Sequence, residues 1–440
     1  MVSVGYCLLI TSAVAGFAYG QPDLPSFRSM GGLGPYISMD SLGVDPNVPE
    51  GCTVNQAIFL CRHGERYPQS WEYYDLADTL KKVQGAGGLR GPLEFLTNYT
   101  MFMTEEQKDL ETSTGPYNGH YEAKELGKKL RAQYGHLLPK NEDDKKFNIF
   151  TADQERVQDT ANHFTEGFFG TNWTNLANMI TLPEYGDPMN TLTPENQCSE
   201  HFFNMSGNYA DQAIAFRQNT FHPILKRIQQ YSKAELNVSD VYNLMDFCPY
   251  EINAIGGSKF CSIFTEDEWK SFDYFNGLNM YYGWGAGQKG GVIAAGSLYT
   301  NSTMSVLKEG PQAMGGLILN FAHDSDIIQA LGALNLFVPE NGMPFDRRDD
   351  GTVFQISQII PMLAHLTLER ITCAHDTFVR VNLNDQYIPL PGCQSGPGKS
   401  CPLGDYEEYV LKYHEDYEDK CGLREGQSKY TTLYWDHKNV

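Results

Sequence analysis

The stretch IFLCRHGERYP at positions 58–68 ends an apolar run in Arg62, His63, Gly64, Glu65 and Arg66. Cations crowded at one strand end repel one another, so a small anion between them would make the cluster favourable. Two further polar turns carry side chains of the same kind: Arg156, in ADQER at 152–156, and His323-Asp324, followed by Ser325 and Asp326. Set around a phosphate monoester, these residue types have defined uses. The guanidinium forks of Arg62, Arg66 and Arg156 match phosphate oxygens and stay charged at any working pH. They neutralise the charge that gathers on the transferred group. Their field keeps a neighbouring imidazole neutral, and a neutral ring nitrogen of His63 can attack phosphorus to form a phosphohistidine. Asp324, protonated in acid, supplies the proton that the leaving alkoxide needs. Water then hydrolyses the phosphohistidine. Gly64 permits close backbone approach in the turn, and Pro68 helps fix the path out of it.

Each piece alone has a plainer explanation. An Arg-His-Gly tripeptide can be a solvated turn, Arg156 a surface helix residue, and Asp324 or Asp326 a helix N-cap. The His-Asp-Ser-Asp run has no second His or Cys group at ligand spacing, so no metal is expected there. His120, His163 and His365 show no partner pattern and read as structural. The combination is worth more than its parts.

The elements that must position these groups share one design. Val54–Leu60, Phe147–Thr151 and Leu317–Phe321 are β-like runs, and each leads through a polar turn into a helical pattern: from about Trp71, up to about Phe169, and over Asp326–Leu336. Strand, turn, helix units build a parallel sheet whose ligands lie outside the carboxyl ends of the strands. Helix N-termini there offer free N–H groups. Arg62, His63, Arg66, Arg156, His323 and Asp324 can therefore converge on one rim. Residues 171–253 carry helical patterns, such as Ala210–Tyr231, and read as part of a second, mostly helical domain. Strands return at His365–Ile371 and Thr377–Leu383, with Asn384-Asp385 as a turn into Gln386–Leu390. Residues 405–420 read as a last amphipathic helix.

The 440 residues suffice for a large core and more than one domain. A net charge of −21 argues against nucleic acid or an anionic membrane as partner, and makes the basic cluster stand out. Residues 1–20 lack any charged side chain, have an apolar core from Leu8 to Ala18 and end in small residues, the pattern of a cleaved secretory signal. That core is shorter than the roughly 20 residues a membrane span needs. Asn98, Asn172, Asn204, Asn237 and Asn301 head glycosylation sequons, in keeping with secretion. Of 10 cysteines, Cys7 leaves with the signal, and Cys61, inside the apolar strand, is the natural free thiol. The other eight can form four bridges, of which Cys248/Cys261 and Cys393/Cys401 are the easiest to close.

Arg62-His63-Gly64-Glu65-Arg66-Tyr67-Pro68 and the distant His323-Asp324 pair resemble the R-H-G-x-R-x-P and H-D motifs of the histidine acid phosphatases. Gly34-Pro35-Tyr36, Arg156, the hairpin Val379–Leu390 and Cys401-Pro402-Leu403 extend the resemblance over nearly all of the mature chain. It is greatest to secreted acid phosphatases of yeasts, with phytases as relatives. The resemblance implies an α/β fold, a mainly parallel sheet flanked by helices as in phosphoglycerate mutases, with an inserted, mostly α-helical domain. On this reading residues 21–72, 117–170 and 285–440 form the α/β domain, and 73–116 and 171–284 the helical one. The resemblance further implies His63 as nucleophile, Asp324 as proton donor, and Arg62, Arg66, Arg156 and His323 as phosphate ligands. It implies disulfides Cys52–Cys373, Cys198–Cys421, Cys248–Cys261 and Cys393–Cys401, no cofactor or metal, and a periplasmic, wall-bound or extracellular enzyme. The expected partners are small phosphate monoesters, with phytate and a homo-oligomer left open. The overall acidity favours an acid phosphatase of broad specificity; a phytase is the alternative, for which Lys81, Lys82 and Arg90 could supply extra cations. A wall glycoprotein that keeps the fold only to bind phosphate is the non-enzymatic alternative.

Overall fold

The computed structural model describes residues 28–36, 44–139, 145–198, 208–288 and 291–440. The expected signal (1–20) and the sequon at Asn204 lie outside the described residues. The chain folds around one mixed sheet of order β3-β2-β4-β1-β5-β6-β7, with β8 paired to β6. The strands are β1 (Cys52–Arg62), β2 (Phe147–Ala152), β3 (Ala177–Leu182), β4 (Leu317–Ala322), β5 (His365–Cys373), β6 (Asp376–Leu383), β7 (Gln386–Ile388) and β8 (Cys401–Pro402). β1 to β4 run parallel, and β5 to β7 add an antiparallel edge. Arg62 pairs with Ala322, and Thr151 with Phe321, so β1, β2 and β4 end at one level.

The side-chain period of two divides β1 between two cores. Ala57, Phe59 and Cys61 point to one face, where they pack with α2 (Gly119–Tyr134) and α3 (Glu155–Phe169). Ile58 and Leu60 point to the other. There the apolar cluster is continuous from the sheet through α8 (Asp324–Ala333) into the helices α1 (Ser70–Ala86), α4 (Asn208–Gln229), α5 (Val238–Ile255) and α6 (Glu266–Trp284). A strand buried on both faces has no polar position to spare, which is why this run is apolar without alternation.

The sheet reaches further than the sequence suggests. β3 lies inside the stretch 171–284 read as helical, yet it pairs with β2 along its whole length. As an edge strand it exposes or half-exposes Asn178 to Thr181, so its residues, Asn-Met-Ile-Thr, lack a buried strand's apolar run. The helix expected over 405–420 is also divided. α9 (Leu403–Tyr413) stops, and Asp416 caps a new short helix by accepting from the Asp419 N–H at 3.0 Å.

Disulfides join Cys52 to Cys373, Cys198 to Cys421, Cys248 to Cys261 and Cys393 to Cys401, and Cys61 is buried and free. The first links the directly opposed residues of β1 and β5. Among the sequons, Asn98, Asn172 and Asn237 are exposed, while Asn301 is half-buried within α7 (Val292–Glu309).

Candidate active site

All six expected residues sit where β1, β2 and β4 end. Arg62 is the last residue of β1 and His63 follows it; Arg156 lies in the first turn of α3; His323 caps α8 and Asp324 begins it. The first-turn N–H groups of α3 and α8 are at that same edge of the sheet, where they favour an anion.

The turn after β1 is held by backbone. The N–H groups of Arg62 and His63 donate to Ala364 O at 2.8 Å and Ala322 O at 3.1 Å, and the Leu363 N–H donates to His63 O at 3.1 Å. Leu363 takes φ 56°, a left-handed conformation unusual for a branched residue. Gly64 is required by space: a Cβ there would lie 2.3 Å from Glu111 Oε1. Its N–H donates to Thr160 Oγ1 at 2.8 Å.

His63 is 2% exposed, and its Nδ1 lies 2.9 Å from Gly64 O. A carbonyl only accepts, so Nδ1 carries the proton and Nε2 keeps the lone pair. Burial, then the charges of Arg156, Arg62, His323 and Arg66, hold the ring well below the usual imidazole range, so it stays neutral in acid.

The cations are arranged less simply than a ring around an anion. Two of the three arginines already have carboxylates. Arg62 pairs with Asp324 at 2.8 Å, while its Nη1 donates to the carbonyls of Gly32 and Ile360. Arg66 donates to both oxygens of Glu72, at 2.8 and 3.4 Å, and to the Tyr250 hydroxyl at 3.3 Å. Burial works against the Arg66 charge, but Glu72 and Tyr250 outweigh it and hold the pKa above its usual value. His323 donates through Nε2 to Glu184 at 2.7 Å, and Gln154 Nε2 donates to the other Glu184 oxygen at 2.9 Å. Arg156 has no carboxylate within ion-pair distance among the described residues, and its buried Nε lacks a hydrogen-bond partner. Burial, then the Arg66 charge, brings its pKa down to about 10. The cluster is thus tolerated because its charges are paired off, with Arg156 left over.

Glu72, Glu184 and Tyr250 were not foreseen. Glu72 had a local signal, an acid in the first turn of α1 beyond the Arg66 turn, where it also accepts from the Gln69 N–H at 2.6 Å. Glu184 had none, being 139 positions from His323. Lys82 pairs with Asp240 and Arg90 donates to Gln230 O, while Lys81 lines a depression with Tyr73 and Met101. The cation beside Arg156 is instead Lys108: both line a cleft of about 440 Å³ with Gln69, Asp109, Gln154 and Glu155. His365 is structural in its contacts, with Nδ1 2.9 Å from Leu363 O.

Asp324 is 28% exposed at its side chain. Burial raises its pKa, but the charges of Arg62, His323 and Arg66 and the Ser325 N–H outweigh this, so the carboxyl lies below its usual range. Before an anion enters it is therefore ionised even in mild acid.

Comparison with known proteins points the same way. A family model described as "Histidine phosphatase superfamily (branch 2)" matches residues 53–384. A phytase of Candida albicans is 33% identical over 425 residues, covering 93% of this chain and 90% of the relative. An acid phosphatase of Komagataella pastoris is 32% identical over 430 residues, covering 93% and 89%. The crystal structure of the phytase from D. castellii superposes with a TM-score of 0.87 at 29% identity, covering 94% of this chain and 90% of that one.

Proposed function

This chain belongs to the histidine phosphatase superfamily (branch 2), and we propose that it is an acid phosphatase in which His63 receives the phosphoryl group and Asp324 serves the leaving alcohol. That the protein is a phosphatase follows from its family and relatives. One observation carries the assignment of roles. Gly64 O holds the Nδ1 proton of His63, so its one lone pair, at Nε2, sits among Arg62, Arg66, Arg156 and His323.

The substrate solves the problem of the ionised Asp324. A phosphate monoester below its second pKa, about 6, arrives as a monoanion carrying one proton. Its negative charge cancels the cationic field that holds Asp324 down, so the proton moves to the carboxyl as the dianion seats on the arginines. His63 Nε2 then bonds to phosphorus as the ester P–O bond breaks, and the leaving oxygen takes the proton from Asp324. In the second step Asp324, now a carboxylate, accepts a proton from water as that water attacks phosphorus and the N–P bond breaks. The Gly64 carbonyl favours the positive charge that the phosphorylated ring carries between these steps.

The cleft beside Arg156 carries charges of both signs, Lys108 and Arg156 against Asp109 and Glu155, which supports broad specificity over dedication to a polyanion. The likeness to the phytases of Candida albicans and D. castellii supports phytate hydrolysis as the second reading. The test is kcat/KM on a nitrophenyl phosphate and on phytate from about pH 3 to 7. Activity on the aryl ester that falls above about pH 6, with phytate slower, is expected; phytate faster by tenfold or more selects the second reading, and no turnover of either overturns both. We place the enzyme outside the cell membrane. The disulfides and exposed sequons support this, and no helix among the described residues is long and apolar enough to cross a membrane.

A further inference from the structure

Behind the Gly64 turn lies a second group of chemistry-bearing side chains that the phosphoryl transfer does not use. Glu111 is 3% exposed. Its Oε1 accepts from the Thr160 hydroxyl at 2.5 Å, and Thr160 in turn accepts the Gly64 N–H. Its Oε2 is buried without a hydrogen-bond partner. The His120 Nε2, 3.6 Å away, is buried and lacks one as well. A carboxylate oxygen and an imidazole nitrogen facing each other at that distance are too far apart for a hydrogen bond. The gap is close to the separation of two ligands on one tetrahedral ion with bonds of about 2.0–2.1 Å, roughly 3.3 Å. Asp159 supplies a third donor, and the three ligand atoms all lie within 4.8 Å of one another.

The scaffold suits a fixed site. His120 is on the first turn of α2 and Asp159 is on α3, two helices that pack side by side. The ring of His163 stacks on that of His120 with centroids 4.0 Å apart, which sets the imidazole plane. Asp159 is half-buried and His120 is 29% exposed at its side chain, so an ion has an entry path and a place for water.

We propose that Glu111, His120 and Asp159 bind one divalent transition-metal ion of Zn²⁺ chemistry, with water completing its shell. The imidazole is a borderline donor and the two carboxylates are hard ones, a mixed set that Zn²⁺ accepts with water in its remaining position, whereas Ca²⁺ demands six to eight oxygens. The ion touches neither substrate nor His63. It acts on the turn through the chain Glu111–Thr160–Gly64, holding the nucleophile's loop from behind.

The protein is freed of metal by chelator and titrated with ZnSO₄ by calorimetry at about pH 6.5. One site per chain is expected, with a rise in the thermal midpoint. His120→Gln and Asp159→Asn should each weaken binding at least about tenfold and abolish the thermal shift. Absence of Zn²⁺ binding to the wild-type protein overturns the proposal. So does binding that survives both substitutions, or Ca²⁺ binding as tightly as Zn²⁺. These readouts do not depend on the phosphoryl-transfer assignment, which would fail through His63 and Asp324 instead.

Discussion

Replacing Asp324 by asparagine separates two functions of one carboxyl. The amide keeps the shape of the group that Arg62 holds at 2.8 Å, but it cannot deliver a proton as an acid. General acid catalysis is worth about 10²–10⁴ in rate, or about 2.7–5.5 kcal/mol of barrier. An alkyl ester, whose alkoxide is a poor leaving group, should lose that full factor. A nitrophenyl ester, whose leaving group hardly needs a proton, should lose about tenfold or less. The substitution also removes the charge that offsets Arg62. Above about pH 6 phosphate arrives as a dianion with no proton to give Asp324, and a carboxylate and a phosphate about 5 Å apart repel by about 3 kcal/mol at an effective dielectric of about 20. Solvent at the partly exposed Asp324 reduces this, so inorganic phosphate should inhibit the variant about tenfold more strongly. Rapid-quench kinetics with both esters, together with phosphate inhibition constants, make the measurement. Equal loss on the two esters, with phosphate inhibition unchanged, would refute both the acid role and the electrostatic pairing.

His63→Ala should abolish turnover and any acid-labile phosphoenzyme while phosphate still binds the arginines; radiolabel retained on histidine would move the nucleophile elsewhere. Glu184→Gln leaves an acceptor for His323 but removes the charge, so KM for substrate should rise several-fold more than kcat falls, and a loss confined to kcat would contradict a positioning role. Glu195 is buried against Asp326, and burial pushes its carboxyl up to about 7. Its folded form holds a proton that the unfolded chain has released, so stability should decline from the ordinary glutamate value near 4.5 up to about pH 7 and then level off. Denaturation followed over that range should show this fall reduced in Glu195→Gln, and an identical pH profile would refute it. Cys61, whose thiol pKa burial and nearby Glu111 and Glu65 push up, should be the one unbridged cysteine on unreduced peptide mapping, and should react only after unfolding.

The rim was legible because its strands are buried on both faces. Ala57 to Cys61 and Leu317 to Phe321 leave no exposed register, so each run and the polar turn after it stand out along the chain. The hairpin turn was legible for a local reason: Asn384 and Asp385 take φ of 51° and 68°, which these two residue types tolerate. β3 was not legible, because an edge strand with exposed Asn178 and Thr181 resembles a loop. Nor were the carboxylates behind the cations. Glu111 and Glu184 are single acids in an acidic chain, and only folding shows that each is buried against a particular partner, while Glu72 had no more than its place in the first turn of α1 to mark it. His120 and His163 lacked a pattern for a similar reason. They meet across two helices rather than along one.

Ala57 to Cys61 hand alternate side chains to two separate cores, and the strand that carries them ends in Arg62, proposed above as a phosphate ligand. Scaffold and chemistry are therefore inherited together, with little room for drift in either. The cleft wall is under no such double constraint, since Gln69, Lys108 and Glu155 line it without belonging to either core. On the proposed reading, substitutions there would change which esters fit while the reaction stays the same. A breeder of new specificities would randomise those wall positions and leave the strand untouched.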